Sequence, residues 1–233
     1  MPTKEDEEKV RRAASMRYWW PKLRDCDVPT PDTTVIPVRD WSKATELTEG
    51  WPIPDIEKIS DVVESHETPA FIRTDQASDK HNMNSASKVP SSDHDTVKDH
   101  VSELLRFNKM AGFAGLPWRD IIVREWLDLS HTFSAFNHTP IAAEARVFLY
   151  QNEIKDYGFY WPEDAIEQHP SHTPELPSDW REQRDSLEEE TLSQFEQIQP
   201  LAETVATEFD GYWSVDFAQT TSGTWQAIDM APG

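Results

Sequence analysis

Glycine is scarce in this chain, with only seven in 233 residues. A glycine-cradled phosphate is therefore not expected, and none of the patterns G-x-G-x-x-G, G-x-x-x-x-G-K-[ST] or G-x-S-x-G occurs. Cys26 is the single cysteine, which excludes an intrachain disulfide and a cysteine-ligated zinc site. It stands between Asp25 and Asp27, neighbours that raise a thiol pKa rather than activate it. The eight histidines are scattered; His94 and His100 lack the i, i+4 spacing of a zinc pair. No apolar run approaches the roughly 18–20 residues a membrane helix needs. The first residues, Met1-Pro2 and then four acids between Lys4 and Lys9, do not read as a signal peptide. A soluble, cytoplasmic protein is the expectation.

Positive charge is the other shortage. Lys and Arg number 22 against 43 Asp and Glu, a net charge of -21, and the mean hydropathy is -0.70. Phosphate contacts need Lys and Arg, so neither nucleic acid nor an anionic membrane is an expected partner. Self-repulsion on this scale disfavours a compact state. Molar salt shortens the Debye length to about 3 Å and removes most of that cost. Acids spread along the whole chain thus point to a high-salt, haloarchaeal or haloviral setting, meaning an archaeal cytoplasm or an infected host. An ordinary acidic protein with a disordered tail is the alternative.

Aromatics are plentiful, with ten Trp and ten Phe, enough to pack a core. Residues 5–20 read as a helix that Pro21 stops. Thr34–Val38 reads as a strand, and 47–60, with Pro52 and Pro54, as a loop. Pro69–Arg73 is a buried strand, followed by a polar stretch to His94. Residues 96–109 form an amphipathic helix started by Ser92 and Asp95 and ended by Gly112 and Gly115. Strands are expected at Ile121–Leu129, Ala142–Tyr150 and Lys155–Trp161. Prolines 162, 170, 174 and 177 mark a loop. A helix from about Asp179 to Phe209 is kinked or split at Pro200. A terminal hairpin turns at Thr221-Ser222-Gly223. The expected divisions are a small lobe over 1–68, a central subdomain over 69–120 and a C-terminal one over 121–233.

Four constellations carry chemistry. In Phe71-Ile72-Arg73-Thr74-Asp75, followed by Lys80, a buried strand delivers two cations suited to phosphate, one a bidentate fork and one a point charge; an Arg73–Asp75 surface pair is the alternative. In the segment Ile121 to Leu129, an apolar strand runs into Arg124-Glu125-Trp126-Leu127-Asp128, where free backbone groups suit an adenine edge and a carboxylate suits a ribose hydroxyl; a plain central strand would look the same. Alternation puts Glu144 and Arg146 on one strand face, and a buried Arg demands a partner, a carboxylate or a phosphate. Asp216 and Asp229 are carboxylates on adjacent apolar strands. Facing each other they repel unless a cation lies between them, and Mg²⁺ with phosphate oxygens is the natural solution. The other reading leaves one of them facing solvent at a strand end.

In this order, the four segments resemble an ATP-grasp protein over roughly residues 69–233. The likeness is to the branch named for two arginines and one lysine, which includes a eukaryotic cell-division-cycle chaperone that assembles a translation initiation factor. Phe-Ile-Arg-Thr-Asp-Gln-Ala-Ser-Asp-Lys-His and Arg-Glu-Trp-Leu are also similar to haloarchaeal and haloviral members. The resemblance implies an α+β fold, with antiparallel sheets, flanking helices and the nucleotide in a cleft between two lobes. It also implies that Lys80 and Arg146 are catalytic, that Arg73, Lys80, Arg124 and Arg146 contact phosphates or an acyl phosphate, that Glu125, Trp126, Leu127 and Asp128 frame adenine and ribose, and that Asp216 and Asp229 hold Mg²⁺. The family ends in an acid-x-Asn pattern; here Ala231 stands two residues after Asp229, so a third ligand has to come from Glu144 or water.

Three functions follow. A ligase would activate a carboxylate with ATP and let an amine attack, chemistry that needs positioning and charge neutralisation rather than a protein nucleophile. An assembly factor would bind ATP and a basic protein partner with slow or no turnover. An interaction protein would keep the fold around a degenerate site.

Overall fold

The computed structural model describes residues 13–38, 55–113 and 118–232. In chain order the elements are α1 (Met16–Asp25), β1 (Thr33–Pro37), α2 (Ile56–Ser65), β2 (Ala70–Thr74), β3 (Lys88–Val89), α3 (His94–Phe113), β4 (Asp120–Glu125), β5 (His131–Ala135), β6 (Thr139–Ala142), β7 (Glu144–Tyr150), β8 (Glu153–Phe159), α4 (Glu163–Glu167), α5 (Trp180–Ser193), α6 (Phe195–Glu208), β9 (Tyr212–Gln219) and β10 (Trp225–Pro232). They fall into two compact units, one of Asp32–Trp126 and one of Met1–Pro31 with Leu127–Gly233. The α+β class with antiparallel sheets and flanking helices is as expected. None of the helices among the described residues is long and apolar enough to cross a membrane.

The 32–126 unit is a four-stranded antiparallel sheet in the order β1-β4-β2-β3. One face is apolar. Ile36, Ala70, Ile72, Val89, Ile121 and Val123 pack with Ile56, Ile59 and Val63 of α2 and with Val97, Val101, Leu104 and Leu105 of α3. These helical residues repeat at three- and four-residue spacing, so each helix presents one stripe to the sheet. Asp55 caps α2 by accepting from the Lys58 N–H at 3.1 Å. At α3 the cap is Asp93, which accepts from the Thr96 N–H at 2.9 Å, rather than Ser92 and Asp95. The helix passes through Gly112 to Phe113, because one glycine costs only about 1 kcal/mol, less than the stripe beneath it returns. Gly115 and the expected loop over 47–54 lie outside the described residues. From Ile56 onward the expected loop is helical.

The second unit carries the antiparallel sheet β10-β9-β7-β8 and the hairpin β5-β6. Ala145, Val147, Leu149, Val215 and Phe217 are buried on one face, where α5 and α6 pack. The α5–α6 break falls at Gln194, and Pro200 lies inside α6. Pro21 likewise lies inside α1. A helical proline costs about 3 kcal/mol. In α1 burial of Met16, Trp19, Trp20 and Leu23 offsets it, each large side chain contributing about 1.5–3 kcal/mol. The expected strand Ile121–Leu129 ends at Glu125, and β5 has no counterpart among the expected elements. The portion of the expected first helix before residue 13 is outside the described residues.

Candidate functional site

In the 32–126 unit, register decides which side chains share a face. Phe71 opposes both Arg124 and Lys88, and Arg73 opposes Ile122. Strand alternation therefore places Arg73, Arg124 and Lys88 together on the face away from the apolar core. Arg73 and Arg124 are 6% and 4% exposed. Arg73 Nε donates to the Thr74 carbonyl at 3.1 Å. Lys88 Nζ lies 4.5 Å from the centroid of the Trp126 ring, a cation–π contact that holds the ammonium without neutralising it. Glu125 pins the strand end: its N–H donates to the Asp32 carbonyl at 3.0 Å, and its carboxylate Oε1 accepts from the Asp32 N–H at 2.9 Å.

Lys80 opens a short 3-10 turn, Lys80–Asn82, that leads into a π-turn, Met83–Ser87. Its neighbour Asp79 is buried, and burial pushes its carboxyl pKa up. Asn82 Nδ2 donates to both Asp79 oxygens, at 2.9 and 3.0 Å, a contact that acts in the opposite sense. Asp75 is also buried. It accepts the backbone N–H groups of Arg119 and Asp120 at 2.6 and 3.0 Å, so it ties the segment after β2 to the start of β4.

In the second unit Arg146 opposes Asp216, and Asp216 opposes Asp229. Arg146 Nε and a terminal nitrogen donate to Asp216 Oδ1 and Oδ2 at 2.7 and 2.8 Å, a bidentate fork. The Arg146 guanidinium is 4.7 Å from the Tyr160 ring centroid. Its pKa is raised, first by the hydrogen bonds it donates to Asp216 against the opposing effect of burial, with Asp229 adding to the rise. Glu144 shares the Arg146 face by alternation and is 4% exposed. Asp229 Oδ1 accepts from its neighbour's N–H, that of Met230, at 3.0 Å.

A β-bulge aims Asp229. In β10, Trp225 and Ala227 oppose Gln219 and Phe217, and strict alternation would send residue 229 to the same buried face. The register shifts between Ala227 and Asp229. Ile228 is the extra residue, and Asp229 comes round to the Asp216 face. Two carboxylates and a guanidinium thus converge on one sheet face. Asp216 and Asp229 could hold a hard cation that draws its other ligands from phosphate and water. Among the described residues no group of three or more His, Cys, Asp or Glu could hold a metal by itself.

Two expected residues remain. Leu127 is half-buried and Asp128 exposed. Asp128 is tied to the terminal hairpin turn: its carbonyl accepts from the Thr221 N–H at 2.8 Å and its carboxylate from the Thr221 hydroxyl at 3.1 Å. Sequence reasoning missed Lys88, because a two-residue strand leaves no alternation to read. The available signal was a lone lysine before an apolar Val89 within an acid-rich chain.

One antiparallel sheet with helices on one face and an Arg–carboxylate cluster on the other, and a second antiparallel sheet that carries cations, are the parts of an ATP-grasp protein. The sequence profile of the ATP-grasp domain, family 3 of the clade named for two arginines and one lysine, matches residues 59–233, and the chain belongs to that family. Solved structures agree on the fold. Cdc123 from Schizosaccharomyces pombe superposes with a TM-score of 0.60 at 13% identity, over 100% of this chain and 86% of that one. Its C-terminally truncated form gives 0.60 at 12% identity, over 97% and 85%. The carboxyaminoimidazole ribonucleotide synthase of Aspergillus clavatus, complexed with ATP, gives 0.51 at 13% identity, over 96% of this chain and 46% of that one. No curated protein matches the sequence.

Proposed function

We propose that this chain binds ATP with Mg²⁺ and uses it to join a carboxylate to an amine through an acyl phosphate. The observation that carries the reading is the Arg146–Asp216–Asp229 cluster on one face of the β10-β9-β7-β8 sheet. Structures in this fold include enzymes solved with ATP and with ADP. Arg73, Arg124, Lys88 and Lys80 serve the phosphate side, since they are the cations that an otherwise acidic chain places on one sheet face and in the turn that follows β2. Glu125 to Asp128 frame the base and ribose. Asp216 and Asp229 hold the metal, whose part when bound is to neutralise charge on the phosphate oxygens.

In the reaction the substrate carboxylate takes the γ-phosphoryl group and ADP leaves. The amine then adds to the acyl carbon, loses a proton and expels phosphate. No protein nucleophile is required. The chain supplies cations that offset charge on the transferred group, Lys80 and Arg146 foremost. Arg146 is fixed in orientation by its two bonds to Asp216, so it meets phosphate without reorganising. The high negative charge fits work in molar salt, in an archaeal cytoplasm or its infecting virus.

A second reading is favoured by one observation: the metal side has two carboxylates, and one of them is already engaged by Arg146. Such a site suits nucleotide binding with slow or no turnover, in an assembly factor for a basic protein partner. Thermal melting at molar KCl with and without Mg-ATP tests the shared claim, and an unchanged melting temperature would sink both. Phosphate release that requires both an added carboxylate and an added amine supports the ligase; ATP binding with no release under any pool supports the assembly factor.

A further inference from the structure

β8 is an edge strand of its sheet, and α6 runs beside it. Between them lies a groove of about 650 Å³, lined on the strand side by Asn152, Glu153, Lys155, Asp156 and Tyr157 and on the helix side by Phe195, Gln199 and Glu203. Its floor is aromatic. The Tyr157 and Phe195 rings are stacked with centroids 3.5 Å apart and planes 4° from parallel, yet Tyr157 remains 42% exposed. Phe195 covers one ring face.

The rim is acidic. Lys155 already pairs with Glu153, and that pairing lowers the Glu153 pKa through a hydrogen bond and then through charge. Glu203, exposed on the helix wall, accepts from the Gln199 amide at 2.7 Å through Oε1, while Asp156, which opposes Phe148 and so turns to the sheet face away from Tyr157, accepts from the Tyr157 N–H at 2.9 Å. Asn152 and Gln199 add amide oxygens that accept hydrogen bonds. An exposed aromatic ring, the Glu203 carboxylate and amide acceptors together match one chemical group, the guanidinium of arginine, which stacks flat on a ring and forks to oxygens in its own plane. Strand addition along β8 does not explain the groove. The β7–β8 register shifts between Phe148 and Leu149, so Lys155 is an extra residue in a bulge, a device that blunts an edge against pairing.

We infer that this groove docks an arginine-containing, basic protein segment, held by side-chain recognition rather than strand addition. The inference lies outside the nucleotide site and does not depend on ATP binding. The test uses the full chain and a fluorescein-labelled peptide of alternating arginine and glycine, with lysine and glutamate counterparts, at the KCl concentration where the chain melts cooperatively. Fluorescence anisotropy should show saturable binding of the arginine peptide, at least about tenfold weaker binding of the lysine peptide, and none of the glutamate peptide. Tyr157→Ala and Glu203→Lys should each weaken binding about tenfold. Glu189→Lys, an equal charge change on the exposed face of α5, should leave it unchanged. Tyr157→Leu, which keeps apolar bulk, guards against a folding artefact and should behave as Tyr157→Ala. Absence of arginine-peptide binding overturns the inference. So does equal weakening by Glu189→Lys, which would trace binding to the overall charge, and so does indifference to the two groove variants. The melting shift with Mg-ATP, read on the same samples, reports on the nucleotide reading separately.

Discussion

Arg146 and Asp216 are joined by two parallel hydrogen bonds of 2.7 and 2.8 Å across neighbouring strands, and Asp229 stands on the far side of Asp216 in the same row. The guanidinium therefore supplies positive charge that two adjacent carboxylates require. Arg146→Met would remove it and leave their repulsion less opposed. Asp216 is 5% exposed, but the Arg146 side chain is 39% exposed, so solvent screening discounts the loss to about 2 kcal/mol. The variant should melt lower than the parent without divalent cation and recover with MgCl₂, whereas the parent should respond little to MgCl₂ alone. Urea melts with and without MgCl₂ decide it. A variant indifferent to Mg²⁺ would remove the metal role from Asp216 and Asp229. Asp216→Asn should weaken ATP binding only when Mg²⁺ is present, and a metal-independent loss would contradict the ligand assignment.

On the other sheet, Arg73, Arg124 and Lys88 share a face. Each charge-assisted contact to a phosphate is worth about 1.5–3 kcal/mol. Lys88→Met and Arg124→Met should therefore each raise the Kd for ATP at least about tenfold, measured by calorimetry at molar KCl, and Lys80→Met should abolish binding. If Lys80→Met alone matters, the phosphates are held by the 3-10 turn and not by the sheet face.

The chemistry-bearing strands were legible in the sequence because β2, β7 and β9 alternate in short apolar runs that each hold a charged residue. The order of those runs sufficed for the family resemblance. What escaped the reading depended on position in three dimensions. Proline is a local stop signal, yet Pro21 and Pro200 sit inside helices whose buried faces outweigh one lost hydrogen bond. Pro52 and Pro54 masked the Ile56, Ile59 and Val63 stripe of α2. Lys88 lies on a strand too short to show a period. The bulge at Ile228 reverses the phase of β10, so alternation counted from Trp225 would bury Asp229; only the register with β9 shows which way it faces.

Asp93 accepts from the Thr96 N–H at 2.9 Å and from the Ser91 hydroxyl at 2.6 Å. These bonds favour the carboxylate, the Ser91 bond most, and lower its pKa from 3.8 to about 2. A lowered folded value means a contribution to stability that is present above 3.8 and lost as pH falls toward about 2. Asp93→Ala should melt lower than the parent at neutral pH, with the gap closing over that acid window. Melting curves of the pair across the window check it. A gap that is constant with pH would mean that the carboxylate form is not what caps α3.

Asp79 has the opposite sign. Burial raises its carboxyl pKa, so its contribution to stability is fully present below the unfolded value of 3.8 and is lost as pH rises through the folded one. Asp79→Asn keeps an acceptor near Asn82 and removes the titration. The stability difference between variant and parent, from urea melts, should therefore shift in favour of the variant as pH rises through the carboxylate range. A difference that does not move with pH would show that Asp79 is solvated enough to ionise freely.

The net charge of -21 makes a separate prediction about salt. Raising KCl from about 0.1 to 1 M shortens the Debye length from about 10 to 3 Å. That screens repulsion among exposed acids but barely alters a close bidentate pair such as Arg146–Asp216. Melting temperature should rise steadily with KCl. The rise should shrink when Glu182, Glu189 and Glu190, all exposed on α5, are changed to Gln, because each removed charge takes part of the repulsion that salt would otherwise screen. The same triple variant should be more stable than the parent at low salt and close to it at high salt. A melting temperature flat in KCl would mean that the acids are spaced widely enough to be screened already, and the high-salt reading of the composition would fall.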